Sequence, residues 1–524
     1  MECCDKKITR VQNLYTLLIC SMVMMLLLSI PSKVNAQIFP KEGSKLHYRL
    51  VGFSFPRASE TEKYTLEIAN GNYNSEDSFK GKVIISLTAS ENRLIAEVPS
   101  FGCQYTWRVI SVANSVTTTK SELHHFSTNI IPNVDTNISR FRITKNTDKY
   151  KDAYVFLDGK RTLNDINGHP IWYLPALPAF NNENLRDLRD LKLSPQGTIT
   201  FLLNEQAYEI NYNGDILWKG PNNGVVSGKI FERYHHEFTR LANGHYMVLG
   251  SENVLWKLNP TKDTSLLHND KIIRDSSNTI KQKIEFGTLI EYDEKGNVVW
   301  RWKSSEYFKG SDLSHRKTAN GMFDIDTHEN SFFYDEKAKV IYISFRNISS
   351  VLKIKYPEGK VLNTYGSIYM PHVTTNSNDL FCYQHSCRHS QNGYLYLFDN
   401  NSCNAGASPK IVIIQEPKSE KEKIKRVWEY ECNVDGKPAT IQEDDKLTRG
   451  GNVIELPDSS LFVSMCSKYS AVFIVNRDKK ILWSGVPENW NQGQNKWNAT
   501  IQYRASIINN RKDLENLIWN GISN

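Results

Sequence analysis

The chain has 524 residues, 40% of them hydrophobic and 11% aromatic, enough for two or more packed domains and the wrong composition for a disordered chain. Its 64 Lys and Arg against 57 Asp and Glu leave a net charge of +7, mild for this length and without a long basic run, so no nucleic-acid partner is implied. A small anionic substrate needs only local positive charge.

At the N-terminus, Lys6, Lys7 and Arg10 precede an apolar run from Leu14 to Ile30, and Val34-Asn35-Ala36 has the small residues of a cleavage site. Residues 1–36 are therefore expected to be a signal peptide, with the mature chain periplasmic or secreted from Gln37. The alternative is an uncleaved anchor, which the length of the run would allow. Export permits disulfides among Cys103, Cys382, Cys387, Cys403, Cys432 and Cys466. Cys382 and Cys387 bracket His385, and a bridge between them would brace that loop; the alternative is a pair of free, partly buried thiols. No CxxC pair or zinc-type spacing is present, so no metal is expected.

Residues 37–130 read as a first domain. Tyr64–Ile68, Lys82–Leu87, Arg93–Val98 and Tyr105–Ile110 are short β-type runs punctuated by Asn, Gly and Pro. This is the pattern of a small β-sandwich of fibronectin III or immunoglobulin-like type, a fold-level likeness that carries no chemistry.

Residues 131–524 repeat. A turn followed by a strand ending in tryptophan recurs at Trp172, Trp218, Trp300, Trp428 and Trp483, with a sixth copy at Glu358–Leu362 lacking the indole. Each unit holds about four strands. Six such units predict an all-β, six-bladed β-propeller, with Ile501–Ala505 as the closing strand that pairs into the first blade. An open array or a second sandwich is the alternative, which closure disfavours because it removes sheet edges.

Histidines recur at like points of these repeats. His236 and His385 each stand seven residues before an Asn-Gly turn, at Asn243-Gly244 and Asn392-Gly393. Between them lies Asp326-Thr327-His328-Glu329-Asn330, with Arg346 eighteen residues after His328. In a closed ring the starts of the innermost strands converge, so His236, His328, His385 and Arg346 are expected to share one site. Around them, His235 is a further pocket residue, Asn330 an orienting donor, and Tyr234 and Tyr383 candidate stacking partners for an aryl group. Thr448, at the start of the next repeat, is a candidate hydrogen-bond partner of the His385 ring.

The His-His-Glu-Phe segment, the Thr-His-Glu-Asn segment with its later Ser-Phe-Arg, and the Gln-His segment followed by Phe398-Asp399-Asn400 resemble the bacterial arylsulfate sulfotransferases. These are exported six-bladed enzymes that do not use an adenylyl sulfate donor. The resemblance implies His385 as a nucleophile that transiently carries a sulfuryl group, with His236, His328 and Arg346 lining the same pocket. It implies small phenolic sulfate donors, phenolic acceptors and no cofactor. Two departures stand out: the cysteines flanking His385, and a long polar stretch between Trp218 and Trp300 that reads as an insertion or mouth loop.

The chemistry is consistent with that resemblance. Sulfuryl transfer, like phosphoryl transfer, puts charge on peripheral oxygens, which positioned cations stabilise. Arg346 supplies fixed charge and a planar donor fork. A neutral imidazole is a competent nucleophile, and His236 or His328 can handle the phenolic proton; which one does so is open. No GxxxxGK[ST], GxSxG or HExxH motif occurs. A non-catalytic exported propeller that binds a glycan or protein partner is the competing reading, but it has no need of convergent histidines. Whether the chain is a homodimer, and whether the first domain mediates it, the sequence leaves open.

Overall fold

The computed structural model describes residues 38–58, 61–113, 117–177, 187–257, 272–274, 279–308, 326–366, 380–390, 392–402, 407–418, 422, 424–434, 437–438, 450–466 and 470–522. The leader segment, Cys403 and Thr448 lie outside them. The described chain is all-β; its α-helices are the short turns Glu76–Phe79 and Ser304–Tyr307 and the C-terminal Arg511–Ile522.

The first unit holds a six-stranded sheet and a two-stranded one. In the larger sheet Ser44–Leu46, His124–Thr128, Gln104–Ala113, Thr61–Asn70 and Val83–Ala89 lie in that order, with Thr117–Lys120 also on Gln104–Ala113. The smaller sheet pairs Leu50–Ser54 with Arg93–Glu97. All four strands expected here from alternation are present, because each presents an apolar row to a core holding Phe53, Leu66, Ile68 and Trp107.

Six further sheets follow, each built of four antiparallel strands. Sheet I comprises Ala505–Ile508, Tyr154–Leu157, Thr162–Asp165 and Pro170–Tyr173. Sheet II comprises Leu188–Leu193, Ile199–Leu203, Gln206–Ile210 and Ile216–Lys219. Sheet III has Phe238–Arg240, Tyr246–Lys257, Ile280–Tyr292 and Val298–Lys303, with Ile272–Arg274 added beside the third. Sheet IV has Glu329–Asp335, Val340–Phe345, Ser350–Lys355 and Lys360–Gly366, and sheet V has His385–His389, Tyr394–Asp399, Lys410–Gln415 and Lys425–Glu431. Sheet VI runs Asn452–Glu455, Leu461–Ser464, Val472–Val475 and Ile481–Asn491, the last also taking Lys496–Ala499 and Ser139–Lys145 as partners. Each sheet packs on the next, and sheet VI packs on sheet I through Leu461–Ser464 and Ala505–Ile508.

The recurring tryptophans tie these sheets together. The Trp172 indole N–H donates to the Tyr212 carbonyl of the following sheet at 2.9 Å, Trp300 to Pro357 at 2.7 Å, and Trp428 to Arg477 at 2.8 Å. Trp483 of sheet VI donates to Ile166 of sheet I at 2.9 Å, so the same device links last to first. Trp218 stacks on Tyr246 of the next sheet at 3.9 Å. Sheet IV, which lacks the indole, bonds forward through the Tyr365 hydroxyl to Glu416. An indole suits this position because its ring fills the gap between sheets while its N–H reaches an exposed turn carbonyl.

Two expectations need correction. The late strand that pairs into sheet I is Ala505–Ile508, on Tyr154–Leu157, and not Ile501–Ala505. The strand starts later because Tyr503 and Arg504 turn inward to the site, their backbone N–H groups held by the Asp158 carboxylate at 3.0 and 2.7 Å. The helix Arg511–Ile522 falls outside an all-strand reading; its Leu514, Leu517 and Ile518 complete the core shared by the first unit and sheets I and II.

Candidate active site

The first strands of the sheets begin close together, and several begin with a distortion. Sheet IV shifts register between Glu329 and Ser331, and sheet V between His385 and Arg388. His236, His328 and Ser386 all sit at positive φ, at 62°, 52° and 54°. Bulges and left-handed residues at strand starts re-aim side chains away from the pleat, here toward a common point.

There the predicted histidines meet. The His236 and His328 rings lie 5.1 Å apart, and Tyr503 bridges the rest, 5.8 Å from His236 and 6.3 Å from His385. Arg346 follows sheet IV's second strand, its backbone N–H on the His328 carbonyl at 2.9 Å and its guanidinium 4.8 Å over the Tyr383 ring.

Hydrogen bonds assign the tautomers of three rings. Asn400 Oδ1 lies 2.6 Å from His385 Nδ1, while Asn400 Nδ2 donates to the Gly450 carbonyl at 3.1 Å. An amide oxygen only accepts, so His385 carries its proton on Nδ1 and keeps a lone pair on Nε2. The Gly450 N–H donates to that Nε2 at 3.2 Å. His235 Nε2 donates to the Gly250 carbonyl at 3.1 Å, which leaves its Nδ1 to accept from His236 Nδ1 at 2.8 Å. His236 likewise retains its Nε2 lone pair.

Burial drives His236, His328 and His385 well below the usual histidine range. The positive charge of Arg346 adds to this at His328 and His385, and His235 falls to about 4, chiefly through burial. All four rings are therefore neutral near pH 7. Glu329 behaves oppositely: burial pushes its carboxyl up to about 7, with the Thr327 hydroxyl donating to it at 3.0 Å. His235, His236, His328, Glu329, Arg189 and the 4%-exposed Ser251 line a pocket of about 190 Å³.

Beneath the histidines lies a buried ion network. Glu237 meets Arg388, Arg504 at 3.2 Å and Lys192 at 3.7 Å. Asp190 takes Arg504 at 2.9 Å and Lys192 at 2.7 Å. Burial opposes charge on Glu237, but Arg388, Arg504 and Lys192 outweigh it and hold the carboxyl at about 2. These groups come from sheets I, II, III and V, so the network fixes the strand starts relative to one another.

The remaining sequence candidates divide. His235 orients His236. Asn330 is fully buried, and its Nδ2 donates to the Gln384 carbonyl at 2.7 Å, which positions the residue before the nucleophile candidate, while its Oδ1 has no partner among the described residues. Tyr383 lies beneath Arg346. Tyr234 does not face the pocket: it is 1% exposed, and its hydroxyl is bound to Tyr292 at 2.9 Å in the core between sheets II and III. Cys387 is a free, buried thiol 3.7 Å from the Tyr342 carbonyl, so the Cys382–Cys387 bridge is not formed. Cys382 is disulfide-bonded, to a partner outside the described residues. Strand alternation and the bulge at His385 turn Cys387 into the core between sheets IV and V, away from Cys382. Asn400, Gly450, Tyr503, Glu329 and Arg189 were not singled out from sequence. Asn400 and Glu329 carried a signal, as members of the Phe-Asp-Asn and Thr-His-Glu-Asn segments. Among the described residues no group of three or more His, Cys, Asp or Glu is arranged to hold a metal ion.

Among solved structures, the chain is similar to a protein of unknown function from Bacteroides caccae, with 12% identity, 68% of this chain and 98% of that chain covered, and a TM-score of 0.34. It is also similar to the dihydro-heme d1 dehydrogenase NirN in complex with DHE, with 11% identity, 91% and 84% covered, and a TM-score of 0.30. Apo AztD from Citrobacter koseri gives 9% identity, 85% and 98% covered, and a TM-score of 0.29. Likenesses this slight carry no argument. No curated protein matches the chain. A family model described as Arylsulfotransferase (ASST) matches residues 141–453, more than half of the chain, and on that match the chain belongs to the arylsulfotransferase family.

Proposed function

We propose that this chain moves a sulfuryl group from a phenolic sulfate ester to another phenol in two half-reactions, through a sulfohistidine at His385 and without an adenylyl sulfate donor. Family membership supports aryl sulfotransferase activity in general. The observation that carries the finer reading is the His385 tautomer: Asn400 Oδ1 accepts a hydrogen bond from Nδ1–H, so Nε2 presents a lone pair where His236, His328 and Tyr503 converge.

In the first half-reaction Nε2 gives up its contact with the Gly450 N–H and forms a bond to sulfur. The sulfur–oxygen bond to the donor breaks, and the phenolate leaves with the electron pair. Arg346 offsets charge on the sulfuryl oxygens. As the anionic donor binds, its charge raises the proton affinity of His236 and His328, so that one of them takes up a proton from solvent and, as the imidazolium, protonates the departing phenolate. In the second half-reaction the same ring deprotonates the acceptor phenol, whose oxygen attacks sulfur as the sulfur–nitrogen bond breaks. Phenols titrate near ~10, so donor and acceptor are nearly matched and transfer runs in both directions.

The architecture fits this reading. The contact of every sheet with its successor, and the Trp483–Ile166 bond from last to first, support a closed six-bladed propeller over residues 131–524. Residues 37–130 form the N-terminal sandwich, and residues 1–36 direct export. The test mixes the protein with 4-nitrophenyl sulfate and a phenol. Acceptor-dependent release of 4-nitrophenolate is expected, and its absence over several donors removes the enzyme reading in favour of a binding propeller. Intact mass after donor alone should show one added sulfuryl group that His385→Asn abolishes; persistence of the label in that variant moves the nucleophile elsewhere.

A further inference from the structure

Sheets II and V begin alike, and the likeness assigns a residue that sequence reasoning passed over. In sheet V, His385 pairs with Phe398 and Arg388 with Tyr396, so one extra residue is accommodated between them, with Ser386 at φ 54°. In sheet II, Arg189 pairs with Leu202 and Lys192 with Thr200, with Asp190 at φ 59°. The two bulges have the same register and the same left-handed residue. Arg189 therefore stands in sheet II where His385 stands in sheet V, and Lys192 stands where Arg388 does, both of these touching Glu237. A bulge of this kind re-aims the residue that begins it.

Arg189 is aimed at the site. It lines the pocket with His235, His236 and His328, and its guanidinium lies 4.9 Å over the Tyr503 ring, the ring that bridges His236 and His385. Its charge is not consumed locally. The neighbouring Asp190 has both oxygens occupied, Oδ1 by Arg504 at 2.9 Å and Oδ2 by Lys192 at 2.7 Å and the Phe238 N–H at 3.0 Å. Among the described residues the Arg189 side chain makes no ion pair or hydrogen bond, only the ring contact. A part-buried guanidinium beside neutral imidazoles, with five donors unspent, suits an anion with several oxygens. Arg346 adjoins the same imidazole from the other strand, its backbone N–H on the His328 carbonyl at 2.9 Å, and the positive charges of Arg346 and Arg189 both disfavour a proton on His328.

We propose that Arg189 is a second cationic ligand for the anionic sulfate-ester group, acting with Arg346 at the pocket of His236 and His328. This rests on the sulfuryl-transfer reading above and extends it to how the donor is held. Two guanidiniums would select a sulfate ester over the free phenol and would release the uncharged product.

The experiment compares wild type, Arg189→Met and Arg189→Lys by calorimetric titration with benzenesulfonate, which cannot transfer its group, and with phenol. Donor KM and kcat are measured in parallel with 4-nitrophenyl sulfate. Arg189→Met is expected to weaken benzenesulfonate binding about tenfold or more and to raise donor KM alike, with phenol binding unchanged. Arg189→Lys, which keeps the charge but loses the planar fork, should fall between. A thermal melt identifies a misfolded variant, in which case the lysine variant decides. Unchanged sulfonate binding and donor KM in a folded variant, with an active wild type, overturns the role of Arg189 alone. A wild type that neither binds sulfonate nor turns over donor overturns the sulfuryl-transfer reading with it.

Discussion

Replacing Asn400 with alanine removes the acceptor that fixes the His385 tautomer. The bond is 2.6 Å long, between a His385 that is 1% exposed and an Asn400 that is fully buried, so water cannot substitute for it. Leaving a buried N–H without a partner costs about 1–3 kcal/mol. That cost falls on the tautomer with the proton on Nδ1. The other tautomer puts the proton on Nε2, where it faces the Gly450 N–H and has no lone pair for sulfur. The reactive form is therefore depleted by the same amount, and sulfuryl capture should slow roughly 5- to 150-fold. The loss of the Asn400 bond to the Gly450 carbonyl loosens the same corner and adds to the effect. The assay is the rate of labelling from donor alone, followed by intact mass after rapid quench, with donor affinity measured separately. Asn400→Asp also accepts the Nδ1 proton and should retain labelling. Wild-type labelling kinetics at His385 in Asn400→Ala would refute the tautomer argument, because ring orientation would then not depend on that bond.

Glu237→Gln should cost about 3–5 kcal/mol in chemical denaturation, since Arg388, Arg504 and Lys192 would be left with Asp190 as their remaining carboxylate in the network; an unchanged denaturation midpoint contradicts this. Glu329 has its folded carboxyl raised from 4.5 to about 7, so protonation favours the fold and its contribution is lost as pH rises through that window. Above pH 7 Glu329→Gln should then be more stable than wild type by ~3 kcal/mol, with the gap closing toward pH 4.5, and a gap independent of pH would be inconsistent with a raised carboxyl. Cys387→Ala should leave the number of disulfides, counted by alkylation and mass, unchanged, whereas Cys382→Ala should lower it; a bridge lost in the first variant reverses the assignment.

Much of the site was legible because repetition exposes it. His236 and His385 share an offset to an Asn-Gly turn, and the turns form as read, with Gly244 and Gly393 at φ 90° and 80°. A shared offset from a shared turn means a shared height on the strand, whatever the fold between. Arg189 has the same seven-residue offset, to Gln196-Gly197 with Gly197 at φ 72°, but it escaped because that turn lacks the asparagine and the residue is not a histidine. Tyr234 misled for the complementary reason: it adjoins a site residue in sequence, yet the change of direction before His236 sends it into the core. The two cysteines five apart look like a loop brace, but strand alternation and a bulge separate them.

By itself the sequence determined the strand periodicity, the six repeats with their tryptophans, and the residue types on which the chemistry rests, since each is a local property of spacing and side chain. The tertiary structure decided what those residues do. It set which imidazole nitrogen carries a proton, because Asn400 and Gly250 lie across turns or sheets from the rings they orient. It set the neutrality of the histidines, because desolvation depends on everything packed around them. It also brought Tyr503 and Arg504 from the end of the chain to the side chains of His236 and Asp190, a proximity created by the pairing of Ala505–Ile508 with Tyr154–Leu157.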